Sequence, residues 1–144
     1  QSLRAIIPTI ITQGLNGNGK IKLGNVSPTR DFLYVKDVCE GFLEICKSDK
    51  LFGNVVNIGN NTEISIKDLV KKISKIMNLN ILIKEESQRI RPDQSEVDRL
   101  CCDNKKILKK TNWKASYNLD EGLKETIKWF KESQNLYKSD IYHI

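Results

Sequence analysis

Histidine is nearly absent: the one copy, His143, sits almost at the C-terminus of the 144 residues. A Ser–His triad or a Cys–His nucleophile would have to recruit it, which argues against both. The four cysteines, Cys39, Cys46, Cys101 and Cys102, contain no Cys-x-x-Cys pair, so with one histidine they make a poor zinc ligand set. They read as reduced thiols, with Cys39 and Cys46 seven apart on the apolar face of an expected helix. Aromatic residues make up only 7% and do not interleave with the basic ones, so the stacking platform of a single-strand nucleic-acid binder is missing. No apolar run approaches the roughly 20 residues of a membrane span. The first residues, QSLRAIIPTI, lack the basic region and long apolar core of a signal peptide. They open on Gln1, directly into structured-looking sequence, as expected of a piece of a longer protein.

The phosphate-cradling signature Gly-x-x-x-x-Gly-Lys-Ser/Thr is missed by one residue. GLNGNGKI, Gly14 to Ile21, carries Ile21 where a hydroxyl must reach magnesium. Its context is also reversed, with a helix before the loop and a strand after it, so helix N-terminal amides cannot face a phosphate there. Net charge is +6, but lysines spread over polar helix faces, as in KDLVKKISKIMNL, and read as a solvated surface. Arginine is more informative. Of the 24 basic residues only five are Arg, and Arg89, Arg91 and Arg99 fall within eleven positions. Planar guanidinium forks suit diphosphates and carboxylates better than ammonium groups do.

Periodicity predicts a mixed α/β chain. A helix is expected at about 8–16, followed by a strand at 21–24. A strand-like RDFLYV at 30–35 leads into a helix at 36–47 with Val38, Phe42, Ile45 and Cys46 on one face and Asp37 as N-cap. GNVVNIGN reads as a buried strand, EISI as a brief strand, and ILIKEE as another. Between the last two, a helix capped by Ser65 buries Leu69, Val70, Ile73, Ile76 and Met77. Asp103 caps a helix at 104–110, Trp113 anchors a connection, and Asn118 with Glu121 forms a capping box for a helix at 119–131.

The stretch SPTRDFLYVKDVCEGF resembles the extended short-chain dehydrogenase/reductase family that acts on nucleotide sugars: Arg-Asp-aromatic, then Tyr-Val, one residue and Asp opening a helix. IIPTIITQGLNGNGKIKLG resembles that family's Ile-Pro helix and following strand, and GNVVNIGN its last Rossmann strand. RIRPDQSEVDRLCCDNKKILKKTNWKASYNLDEGLKETIKWF resembles its C-terminal substrate segment, most closely that of nucleotide-sugar 4,6-dehydratases. The resemblance covers nearly all of residues 1–144. It implies a single nucleotide-sugar-binding region: the C-terminal substrate-binding portion plus the last elements of a Rossmann-like fold, without the N-terminal half. The family's Gly-x-x-Gly-x-x-Gly fingerprint and Tyr-x-x-x-Lys pair are not found in the sequence.

In such enzymes NAD or NADP takes hydride from the sugar, water is eliminated, and hydride returns. This chain is expected to carry no catalytic residue, to bind no cofactor itself and to be inactive alone. By resemblance, Arg30 and Arg91 clamp the diphosphate of a UDP- or GDP-sugar, Glu96 accepts from ribose hydroxyls, and Ile6 and Leu23 flank the base. Asn61 is a further contact candidate. Each assignment has a plain alternative: an ion pair of Arg30 with Asp31, a solvated Glu96, core packing for Ile6 and Leu23. Asp31 and Asp37 read as structural. A nucleotide-sugar 4-epimerase and a non-enzymatic basic nucleic-acid-binding module are the competing functions. The favoured reading is a cytoplasmic lyase of carbohydrate biosynthesis, homodimeric when intact, that binds neither nucleic acid nor membrane.

Overall fold

The computed structural model describes residues 5–17, 19–90 and 95–133; Arg91 and His143 lie outside them. The elements run α1 (Ile6–Asn16), β1 (Lys20–Leu23), β2 (Thr29–Arg30), α2 (Val35–Cys46), β3 (Ile64–Ser65), α3 (Ile66–Met77), β4 (Leu82–Glu85), β5 (Arg99–Leu100), α4 (Lys105–Lys110) and α5 (Leu119–Glu132). Single 3-10 turns occur at Asp49–Leu51 and Ser87–Arg89. They form two compact units, the first from segments 1–28, 65–98 and 123–144, the second from 29–64 and 99–122.

The first unit sets α1, α3 and most of α5 with the two-stranded sheet of β1 and β4. Ile7, Ile10 and Ile11 line one face of α1 and are buried, and Pro8 falls in the first turn, where its missing N–H removes no helix bond. Strand β1 alternates exposed Lys20 and Lys22 with buried Ile21 and Leu23, the period-2 pattern of a one-sided strand. It pairs in parallel with β4, Lys20 opposite Leu82 through Leu23 opposite Glu85. Gln13 donates from Nε2 to the carbonyl of Lys22 at 3.1 Å and accepts from its N–H at 2.8 Å. One side-chain amide thus pairs with both backbone groups of an edge residue.

Helix α3 carries the most regular pattern of the chain. Ser65 accepts from the N–H of Asp68 at 3.0 Å, closing the first turn as an N-cap. Leu69, Val70, Ile73 and Met77 are buried, and Asn78 ends the helix in the left-handed region at φ 55, which asparagine tolerates better than most residues. In α5 the Asn118 amide oxygen accepts from the N–H of Glu121 while the Glu121 carboxylate accepts from the N–H of Asn118, both at 2.9 Å. That is the expected capping box.

The second unit is built around a small sheet ordered β3-β2-β5, in which β2 and β5 run parallel with Thr29 opposite Arg99 and Arg30 opposite Leu100. Here four expectations fail. The strand foreseen at 30–35 stops at Arg30, with the N–H of Asp31 making a last bond to the carbonyl of Leu100 at 3.0 Å. The run GNVVNIGN joins no ladder among the described residues. Asp37 is not the N-cap of α2; that position is Tyr34. Instead, Asp37 lies in the first turn, 2% exposed, and its carboxylate accepts from the N–H groups of Ser116 and Tyr117 at 2.9 and 3.1 Å. Its carbonyl accepts from the buried indole of Trp113 at 2.9 Å, so the tryptophan anchors the connection as expected. Finally, α2 buries Gly41 rather than Phe42, Cys39 or Cys46. A Cβ on Gly41 would lie 2.9 Å from Cγ2 of Ile58, so the glycine sets how closely the helix approaches that chain.

Ile73 is fully buried, and Ile73→Ala is expected to lower the unfolding free energy by about 2–5 kcal/mol. Ser65→Ala should cost about 1 kcal/mol through the lost cap, and the exposed Lys75→Ala less than about 0.5 kcal/mol. Denaturant titration of the three variants reads the order directly.

Candidate functional site

Asp31 organises the residues around Arg30. Its Oδ1 accepts from the N–H of Asn60 at 3.2 Å, and its Oδ2 from those of Asn61 at 2.9 Å and Cys102 at 3.2 Å. Asn60 returns a bond from Nδ2 to the carbonyl of Phe32 at 2.6 Å. Buried Asn104 donates to the carbonyl of Gly59 at 2.8 Å. The turn 59–61 is therefore held from both sides, with Asn61 at φ 56, a conformation asparagine adopts more readily than most side chains. The carboxylate of Asp31 is engaged with three backbone amides, which supports the structural reading of this residue.

Arg30 closes β2 and donates from Nη1 to the carbonyl of Thr29 at 2.7 Å. On the facing strand ends, Thr29 Oγ1 and Arg99 Nε converge on Glu63, at 2.6 and 2.7 Å. The Thr29 hydroxyl, then the Arg99 guanidinium, hold the Glu63 carboxyl below its ordinary range. The folded state favours the ionised form, so this contribution is present above about pH 4.3 and lost as pH falls through the lower folded value.

Of the expected contact residues, Arg30 and Asn61 belong to the second unit and are linked through Asp31. Ile6, Leu23 and Glu96 belong to the first. Ile6 opens α1 half-buried, Leu23 is 2% exposed with its carbonyl accepting from the N–H of Glu86 at 2.9 Å, and Glu96 is half-buried. Arg91, the second half of the expected diphosphate clamp, is outside the described residues. Arg89 donates from Nε to Glu86 at 2.6 Å, and Lys22 approaches the same carboxylate at 3.2 Å. Asn60 and Asn104 were not foreseen. The repeated Asn of NIGNN was the one signal for Asn60, since asparagine is enriched in turns; Asn104 had none.

The family profile described as GDP-mannose 4,6 dehydratase matches residues 2–126, a span that contains every expected contact residue. The chain belongs to this family of nucleotide-sugar dehydratases and epimerases. Human dTDP-D-glucose 4,6-dehydratase is 33% identical over 143 residues, covering 93% of this chain and 39% of that protein. The solved UDP-N-acetylglucosamine 4-epimerase of Methanobrevibacter ruminantium, in complex with UDP-N-acetylmuramic acid, is 28% identical with TM-score 0.77, covering 90% of this chain and 40% of that one. Bacillus anthracis dTDP-glucose 4,6-dehydratase, solved with NAD, is 23% identical with TM-score 0.74, covering 95% and 42%, and shows the shared Rossmann-like fold. The dehydratase/epimerase family member described here thus spans about two fifths of the length of these relatives. No helix among the described residues is long and apolar enough to cross a membrane.

Burial, then the neighbouring Asp31 carboxylate, push the Cys102 thiol up from its ordinary range. Less thiolate is present at a given pH, so iodoacetamide at pH 8 is expected to modify Cys102 more slowly than exposed Cys39. Asp31→Asn removes the charge and should speed Cys102 alkylation; with weakened amide ties it should also lower stability by about 1.5–3 kcal/mol. Peptide mass spectrometry and denaturant melts check the two outcomes.

Proposed function

We propose that this chain is the substrate-binding part of an NAD-dependent nucleotide-sugar 4,6-dehydratase and that it binds the diphosphate of a UDP- or GDP-sugar through Arg30 and Arg91. The observation that carries the reading is the mounting of Arg30: it ends a strand immediately before an aspartate fastened by three backbone amides. A guanidinium on such a base starts from a restricted position, which lowers the ordering cost of gripping a phosphate. Two planar forks from separate chain segments neutralise a diphosphate and fix its orientation. Asn61, on the turn that Asp31 holds, is a neighbouring contact, with Glu96 for the ribose and Ile6 and Leu23 toward the base.

The residues present do not fit NAD. The glycine-containing stretch Gly14–Gly19 begins in the last turn of α1 and ends just before β1, so it opens no helix whose N-terminal amides could hold a phosphate. The Tyr-x-x-x-Lys pair is not found in the sequence either. On this reading the NAD or NADP of an intact enzyme and its acid–base chemistry belong to polypeptide outside these residues. A 4-epimerase of the same family is the second reading, favoured by the likeness to the UDP-N-acetylglucosamine 4-epimerase.

Isothermal titration of UDP-N-acetylglucosamine and GDP-mannose into the chain tests the proposal. Arg30→Ala and Arg91→Ala are each expected to weaken binding by about 1.5–3 kcal/mol, roughly tenfold or more. Titrated NAD should give no heat. Unchanged affinity in both variants would overturn the diphosphate assignment, and tight, salt-sensitive binding of an oligonucleotide instead would favour the nucleic-acid module.

A further inference from the structure

Two of the four cysteines are neighbours in sequence, Cys101 and Cys102. They follow β5 directly and lead into α4. Both are free thiols and half-buried, so small reagents reach them. Cys102 is also part of the clasp on the turn 59–61. Its N–H donates to Asp31 Oδ2 at 3.2 Å, the same oxygen that accepts from the N–H of Asn61. Its side chain lies against Gly59, where a Cβ would come 2.6 Å from Cys102 Sγ. Two residues on, Asn104 donates to the Gly59 carbonyl at 2.8 Å. The segment 102–104 therefore holds the turn through a backbone amide, a thiol contact and a side-chain amide together.

The two thiols cannot join without moving that segment. Neighbouring Cα atoms lie about 3.8 Å apart across a trans peptide, whereas disulfides ordinarily span roughly 4.4–6.8 Å between Cα atoms. Successive side chains of an extended chain also point to opposite faces. Closing the bond therefore re-aims the intervening peptide, and that peptide carries the N–H now given to Asp31. A disulfide closed against strain is the more easily reduced, which suits a reversible pair rather than a structural bridge. Disulfides of this transient kind are the ones found in reducing compartments.

We infer that Cys101 and Cys102 form a reversible thiol–disulfide pair, and that its oxidation by a low-molecular-weight disulfide loosens the hold of Asp31 on the turn 59–61 and weakens the site at Arg30. The Cys101 thiolate attacks one sulfur of the small disulfide, expels one small thiol and is left in a mixed disulfide. The Cys102 thiolate then attacks Cys101 Sγ, the bond between the two residues forms, and the second small thiol leaves. Two protein thiols are oxidised, one small disulfide is reduced to two thiols, and the protons of the former pass to the latter. Burial, then the Asp31 carboxylate, keep the Cys102 thiol protonated to higher pH, which makes the second attack the slower one. The loosening rests on the bonds to Asp31; only its consequence for a ligand rests on the diphosphate reading of Arg30.

The 144-residue chain is equilibrated with oxidised glutathione, and remaining thiols are trapped with iodoacetamide. Trypsin cleaves after Arg99 and Lys105, so the peptide Leu100–Lys105 holds both thiols and no other cysteine. It is expected two hydrogens lighter after oxidation, and restored by dithiothreitol. Amide exchange at Asn60 and Asn61 should quicken roughly tenfold in the oxidised chain, as for the loss of a charge-assisted bond. The affinity for UDP-N-acetylglucosamine should fall by a similar factor. A peptide that stays reduced, or that carries glutathione without closing the pair, would overturn the inference, and so would a closed pair with unchanged amide exchange. Cys101→Ser should make exchange at Asn60 and Asn61 indifferent to the oxidant, and a persistent response would count against the pair. Should that variant fail to fold, the chain with exposed Cys39 and Cys46 both changed to Ser must still respond. If the reduced chain binds no sugar nucleotide, the diphosphate reading fails, while peptide mass and amide exchange still decide the thiol pair.

Discussion

The second unit depends on one carboxylate. Asp31 gathers amides from Asn60, Asn61 and Cys102, residues far apart along the chain, where a sheet of two-residue strands supplies few ladder bonds. Bonds from a charged acceptor are stronger than neutral ones, and three amides left unpaired by its loss would each carry a desolvation cost. The same device recurs at Asp37, whose buried carboxylate ties the first turn of α2 to residues 116 and 117. In this unit side-chain carboxylates do the joining that longer strands do in ordinary sheets. That is why a chain segment as irregular as 54–64 holds a defined turn beside Arg30.

Arginine clustering in sequence and arginine function are different things here. Arg89 and Arg99 look, in the sequence, like members of one cationic group with Arg91. In the structure Arg89 is fastened to Glu86 in the first unit and Arg99 to Glu63 in the second. The Glu86 carboxyl, held low first by Arg89, and the Glu63 carboxyl, held low by Thr29 and Arg99, are the electrostatic counterparts of those pairs. The Arg99–Glu63 pair lies at the surface, where such bridges contribute little to stability, while Arg89–Glu86 is part-buried; each ties together the segments that carry it. Sequence proximity marks which residues could neutralise a ligand, and local carboxylates then decide which of them are already committed.

Legibility followed the range of the interactions. The Ser65 cap, the α3 stripe, the capping box at Asn118 and Glu121 and the Trp113 anchor were readable because each is a pattern within a few turns of chain. The family was readable because its motifs are local and ordered. The Asp31 and Asp37 ties were not, since their partners are 29 to 80 residues away and are backbone groups with no sequence signature. Asp37 illustrates the ambiguity: an aspartate near a helix start fits an N-cap, and only the loop that folds over it shows otherwise. The α2 stripe and GNVVNIGN were read as buried because composition reports what a segment is suited to cover, not which molecule covers it.

That last mismatch has a physical reading of its own. Most apolar surface in a self-sufficient domain is removed from water by the same domain, because conformational entropy must be offset by burial. Here α3, α1 and β1 meet that condition within their unit, with Ile10, Ile11, Ile21, Leu69 and Ile73 fully buried. The second unit meets it only in part: α2 and 54–58 keep large side chains in solvent while two carboxylates, Asp31 and Asp37, hold the frame. Hydrogen-bonded ties of this kind fix geometry without requiring a large core, so the mounting of Arg30 does not wait on coverage of Phe42 or Val55. The polar frame around Arg30 and the exposed apolar side chains of α2 are therefore separable properties of one short chain.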